Sequence, residues 1–186
     1  MAFNRYNTTK YNSRENFMAL GVTCLFISHQ QRDKIAAQKI ADYLIRAGIN
    51  VYFDEYDNDL KIHHQSKNAA AVTNSIRVGI NNSSHMLVLI SPNTMSSTWV
   101  PFEVGYGYDK TALYVLCLKG IEPGTLPEYV KSATIIRDIY DLNLLTGRMV
   151  GANADILIKA NLINDFASDQ NPLSDVMDKL ILNDTQ

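Results

Sequence analysis

The sequence predicts an α/β fold: a parallel β-sheet covered by helices on both faces. Three observations carry that reading. Short apolar runs rich in β-formers recur along the chain: "VTCLFIS" (22–28), "INVYFD" (49–54), "HMLVLIS" (85–91) and "ALYVLCLKG" (112–120). Segments with helical spacing alternate with them, the pattern of βαβ units. The chain of 186 residues, 46% hydrophobic and 19% charged, is long enough to bury one substantial core.

Strand one, 22–28, is apolar throughout, as in a strand buried on both sides. Ala36, Ile40, Tyr43, Leu44 and Ala47 then recur at helical spacing, and Gly48 supplies a stop. Strand two, 49–54, runs into "EYDNDLKIHHQSKNAAA" (55–71), a polar stretch too long for a simple connector. Val72, Ile76, Gly79 and Ile80 mark a second helix ending near "NNSS", and strand three follows at 85–91. A third helix is expected over 98–110, strand four over 112–120, and a short fifth strand over "ATIIRD" (133–138). Beyond it, a helical segment is expected around 154–166. Leu173, Val176, Met177, Leu180 and Ile181 then form an amphipathic stripe after Pro172.

Composition removes several functions. With 17 Lys plus Arg against 19 Asp plus Glu, the net charge of −2 offers no basic footprint for nucleic acid. No apolar stretch reaches the roughly 18 residues that span a bilayer, and the N-terminal "MAFNRYNTTKYNSREN" lacks the apolar core of a signal peptide. Cys24 and Cys117 both fall within strand-like runs, which suits buried, reduced thiols in a cytoplasmic protein.

Ligands of open parallel sheets bind beyond the carboxyl ends of the strands. Three segments emerge there: "SHQQ", "DEYDND" and "SPNTMSSTW". The third leads into "STWVPFEVGY", where a single acid, Glu103, follows the only tryptophan, Trp99, by four residues. With Thr98 as N-cap, Pro101 takes the third helical position, where its missing N–H costs nothing. Trp99 and Glu103 then share one helix face. An acid near a helix N-terminus is also favoured by the dipole alone, and a tryptophan there can simply pack in the core. The remaining motifs are weaker. "DEYDND" lacks the glycine and distal glutamate of a calcium loop, and His63–His64 are adjacent rather than one turn apart, so no metal site is expected. "GYGYDK" has neither a leading strand nor a third glycine, so it is not a dinucleotide fingerprint. Ser28 and His29 are sequence neighbours without a G-x-S-x-G elbow, and they do not read as a nucleophile–base pair.

Taken in order, "CLFISH", "GINVYFDE", "SIRVGINNSSHMLVLISPN" and "STWVPFEVGY" resemble a Toll/interleukin receptor (TIR) domain over about residues 20 to 140. The resemblance implies a flavodoxin-like fold with a five-stranded parallel sheet. It divides the chain into a polar N-terminal extension (1–16), the domain (17–144) and a helical C-terminal appendage (145–186) that packs on the domain or on a second subunit. The family has two branches. Receptor and adaptor members act by TIR–TIR association through the loop after the second strand. Enzymatic members cleave NAD at the nicotinamide–ribose bond, often as assembled oligomers, using a glutamate in a W-x-x-x-E arrangement. Here that arrangement is Trp99-Val-Pro-Phe-Glu103, so Glu103 matches the catalytic position. His29, Gln30 and Asp54 match positions that contact NAD, and Trp99 joins them as a candidate wall of the site. Where family members often carry a basic residue directly after the first strand, this chain has "HQQ", with Arg32 or backbone N–H groups left to meet a phosphate.

The resemblance thus implies an NAD+ glycohydrolase or ADP-ribosyl cyclase with NAD+ as substrate and no resident cofactor. It further implies self-association through the domain and, in a Thoeris-like antiphage system, a separate effector protein that senses the product. Two other readings stand beside it: a non-catalytic TIR interaction module, and an enzyme like the nucleoside deoxyribosyltransferases, whose related fold also uses a glutamate.

Overall fold

A computed structural model describes residues 1–6, 14–53 and 69–181 of the chain. In chain order the principal elements are α1 (Arg14–Met18), β1 (Cys24–Ser28), α2 (Lys34–Arg46), β2 (Asn50–Tyr52), α3 (Ala69–Asn81), β3 (His85–Ile90), α4 (Trp99–Gly107), β4 (Ala112–Cys117), β5 (Thr134–Ile136), α5 (Ile139–Val150) and α6 (Ala154–Lys159). The five strands form one parallel sheet in the order β2-β1-β3-β4-β5. This is the parallel α/β sheet that the alternation of elements predicts, in the flavodoxin-like form that the TIR resemblance implies. Its direction of winding reverses between β1 and β3, the place where ligands of open parallel α/β sheets generally bind.

Side chains alternate across the sheet, and each face builds its own core. Leu25, Ile27, Leu87, Leu89 and Leu116 pack with α2 and α5 on one side. Cys24, Phe26, Met86, Val88, Ile90 and Val115 pack with α3 and α4 on the other. Helix α3 comes very close to the sheet at Gly79, where an added Cβ would sit 2.6 Å from the Phe26 ring and 2.8 Å from that of Tyr52. Cys24 and Cys117 are free and buried, and burial pushes their thiols up to about 12 and about 11. Both therefore stay protonated and unreactive.

At the N-terminus, Asn4 bridges to Val51 in parallel fashion, and the Asn4 amide bonds the Phe53 carbonyl at 2.7 Å, so this segment extends the β2 edge. Among the described residues, no helix is long and apolar enough to cross a membrane.

Three expectations need correction. The fifth strand stops at Ile136, because Asp138 does not continue it but caps α5, accepting the Asp141 N–H at 2.8 Å. Helix α5 therefore begins at Ile139, and it ends at Gly151, whose φ of 71° is left-handed. The segment expected as helix over 154–166 is helical only to Lys159, since Asn161 turns left-handed (φ 56°). Finally, Leu173–Ile181 form turns and irregular chain in place of a helix. The carbonyl of Val176, which a helix would use for the Leu180 N–H, instead accepts the Lys119 N–H at 2.9 Å, and those of Asp178 and Lys179 accept the first N–H groups of α5 from Ile139 (2.9 Å) and Tyr140 (3.3 Å). The apolar stripe is real nonetheless: Leu173 and Met177 are fully buried in the α2/α5 core, so the segment packs on the domain.

Candidate active site

The site grows from the end of β1. Ser28, the last residue of that strand, points to the α4 face, as the alternation from Cys24 and Phe26 requires. Helix α4 starts where expected, with Thr98 at the N-cap, although the capping hydroxyl is that of Ser97, which accepts the Val100 N–H at 3.2 Å. Pro101 thus occupies the third helical position without loss of a bond. One turn into the helix, Glu103 is buried, only 8% exposed, and its Oε2 accepts a hydrogen bond from the Ser28 hydroxyl. Among the described residues Glu103 has no ion pair. Burial pushes its carboxyl up to about 7, against the opposing effect of the Ser28 hydrogen bond. At neutral pH the group is poised between charged and neutral forms.

A second buried acid shapes the rim. Asp33, in the short 3-10 turn Gln31–Asp33, accepts bonds from the Ser91 hydroxyl and, at 2.6 Å, from the Asn93 amide. Ser91 also accepts the Asn93 N–H at 3.0 Å, and Thr94 donates to the Leu89 carbonyl at 3.0 Å. These bonds tie the loop after β1 to the loop after β3, the two loops that flank the reversal of the sheet.

The residues singled out from sequence are distributed as follows. His29 follows Ser28 and is half-buried; its Nδ1 lies 3.3 Å from the Ile27 carbonyl and its ring 5.1 Å from that of Phe53. It thereby links the ends of β1 and β2. Gln30 has a local task, since its side-chain carbonyl accepts the Arg32 N–H at 2.5 Å and caps the 3-10 turn. Trp99 is half-buried against the α3/α4 core, edge-on to Phe102 at 6.1 Å. Asp54 and the loop from 55 to 68, with His63 and His64, lie outside the described residues; 69–71 belong to α3.

Ser28 and Asp33 are the residues that the sequence reading missed. Ser28 is set aside there because a base is sought in its sequence neighbour, while its partner lies 75 residues away. The available signal is its place as the final, polar residue of an otherwise apolar strand.

The arrangement thus combines a 2-1-3-4-5 sheet, two loops bonded to each other at its reversal, and a buried glutamate in the helix after β3. Comparison with curated proteins gives no significant match. The family description "TIR domain" matches residues 25–144, from β1 into α5 and over more than half of the chain. The chain belongs to the TIR domain family.

Proposed function

We infer that this TIR protein is an NAD+ glycohydrolase or cyclase that breaks the nicotinamide–ribose bond, with Glu103 as its catalytic carboxylate. The observation that carries the reading is the buried Glu103 with Ser28 as its hydrogen-bond partner, at the carboxyl end of β1, where ligands of open parallel α/β sheets generally bind.

The chemistry suits such an acid. Nicotinamide in NAD+ is a cationic pyridinium, so the C1′–N bond breaks with its electron pair neutralising the ring nitrogen. Positive charge passes to the ribosyl carbon, and an ionised Glu103 stabilises that oxocarbenium-like state. A permanent cation beside Glu103 would cancel this field. The substrate's own positive charge favours the ionised form when it binds, lowering a pKa that burial has raised. Attack by water, which gives up a proton, yields ADP-ribose. Attack by the adenine or by a second ribose hydroxyl yields a cyclic isomer. His29, Gln30, Asp54 and Trp99 are the proposed substrate contacts, and exposed Arg32 is positioned on the rim turn to meet a phosphate.

In this reading the protein self-associates through its TIR domain and makes a nucleotide signal for a separate effector in antiphage defence, in the manner of Thoeris systems. The test is incubation of the purified chain with NAD+, with and without a crowding agent, followed by mass spectrometry of the products. Release of nicotinamide with ADP-ribose or an isomer is expected. No release under any condition, together with binding to a TIR partner that is lost on altering 55–71, would identify an interaction module instead.

A further inference from the structure

At the opposite end of the sheet, and on its opposite face, lies a second cleft of about 330 Å³ lined by His85, Tyr114, Thr134, Leu145, Arg148 and Met149. His85 and Thr134 are the first residues of β3 and β5, so the cleft opens at the amino ends of the parallel strands, away from Ser28 and Glu103. Tyr114, Leu145 and Met149 pack on the α2/α5 side, whereas Glu103 lies on the α4 side.

The chemistry of the lining is specific. The His85 and Tyr114 rings are nearly parallel, 17° apart with centroids at 6.1 Å, too close together for a third ring between them. Leu145 and the Met149 thioether give the cleft an apolar wall beside this pair, the kind of surface on which a planar ring packs. His85 Nδ1 is engaged with the Ser84 hydroxyl at 2.8 Å, which leaves Nε2 as the nitrogen open to a ligand. Burial lowers the His85 pKa, so the ring is neutral at physiological pH and the positive charge of the cleft comes from Arg148. Arg148 is exposed on the last turn of α5 and is absent from the ion pairs among the described residues. A guanidinium, a phenol, a threonine hydroxyl and an imidazole on one rim suit an acceptor-rich anion such as a phosphate.

The size narrows the class further. Pockets for small ligands run from ~300 to ~1,000 Å³, and this one stands at the lower limit. A mononucleotide is of that size, and the cleft lies at the other end of the sheet from Glu103. We propose that the His85–Tyr114–Arg148 cleft is a second ligand site, for a mononucleotide-sized aromatic phosphate held by stacking and by Arg148.

Calorimetric titration of the full chain with AMP, and separately with adenosine and inorganic phosphate, tests this. Saturable 1:1 binding of AMP with Kd below about 1 mM is expected, with each fragment at least about tenfold weaker. Exposed Arg148→Gln, which removes no core contact, is expected to weaken AMP about tenfold, as loss of one charge-assisted contact does. Tyr114→Phe should cost less, and Glu103→Gln should leave AMP affinity unchanged whether or not NAD+ is a substrate. Failure of AMP to saturate at ~10 mM, far above the affinities of useful sites, overturns the proposal. So does AMP binding that is lost in Glu103→Gln but kept in Arg148→Gln. Self-association abolished by Arg148→Gln without any AMP binding also overturns it, by making the cleft a contact between copies.

Discussion

A carboxyl group that is buried beside a hydroxyl, with no ion pair among the described residues, makes the stability of the fold and its own reactivity depend on pH. In the unfolded chain Glu103 titrates near 4.5, and in the fold at about 7. The folded state therefore holds a proton that the unfolded state has lost between those values. Its contribution is fully present below pH 4.5, declines as pH rises, and is gone above about 7. The difference corresponds to about 3 kcal/mol at most. Glu103→Gln, neutral at all pH, is accordingly expected to raise the melting temperature by several degrees at pH 8 and by little at pH 4.5, read by thermal unfolding at both. Ser28→Ala removes the one influence that lowers this pKa, so the pH at which activity reaches half its plateau should move upward, measured as a pH–rate profile. The position of Glu103 is legible in sequence, because Trp99-x-x-x-Glu103 fixes it one turn into the helix after strand three. Its hydrogen-bond partner is not: that contact joins residues 75 apart, and a serine ending a strand is unremarkable until the helix is docked. The same holds for Asp33, whose partners Ser91 and Asn93 sit on another loop.

At the scale of elements, α3 shows how close packing sets a residue type. Gly79 lets the helix lie directly on the Phe26 and Tyr52 rings. Gly79→Ala adds helix propensity of up to ~1 kcal/mol but forces two fully packed aromatic rings to move. A net loss of about 1–2 kcal/mol is expected, seen as a lower denaturant midpoint at unchanged slope. Strands β1 to β4 are readable as short apolar runs and helices α2 and α3 from helical spacing, whereas α4 mixes apolar residues around its whole circumference and is read from its place between two strands. Helix α5 is less legible. Its start, Asp138, also completes an apolar run that reads as strand, and only the capping bond to Asp141 decides between the two. The stripe from Leu173 to Ile181 misleads in the other direction. Helical spacing puts Leu173 and Met177 on one side, and the fold buries both, but the carbonyl of Val176, which a helix would need internally, serves the Lys119 N–H. Tertiary hydrogen bonds of that kind leave no periodic trace.

For the whole molecule, the C-terminal residues close the α2/α5 core. Tyr43 donates to Asn143 at 2.7 Å and to the Asn164 carbonyl at 3.1 Å, and the Lys119 N–H bonds the Val176 carbonyl at 2.9 Å. A chain ended at residue 160 loses Ile163, Leu173 and Met177 from that core. Such a truncation is expected to abolish cooperative unfolding or to lower the melting temperature by more than about 10 °C, measured by circular dichroism, because each lost side chain is worth ~2–3 kcal/mol. The architecture as a whole is the most legible level, since alternating strands and helices admit few parallel topologies. The β1/β3 reversal is part of that topology, and it is where the NAD+ reading places the reaction. The most direct measurement is the rate of nicotinamide release from NAD+ by the wild-type chain and by Glu103→Gln, assayed side by side under the same assembly conditions. A fall of about 100-fold or more in the variant is expected for loss of a buried charge that stabilises the transition state. Equal rates in the two proteins would contradict the assignment of Glu103.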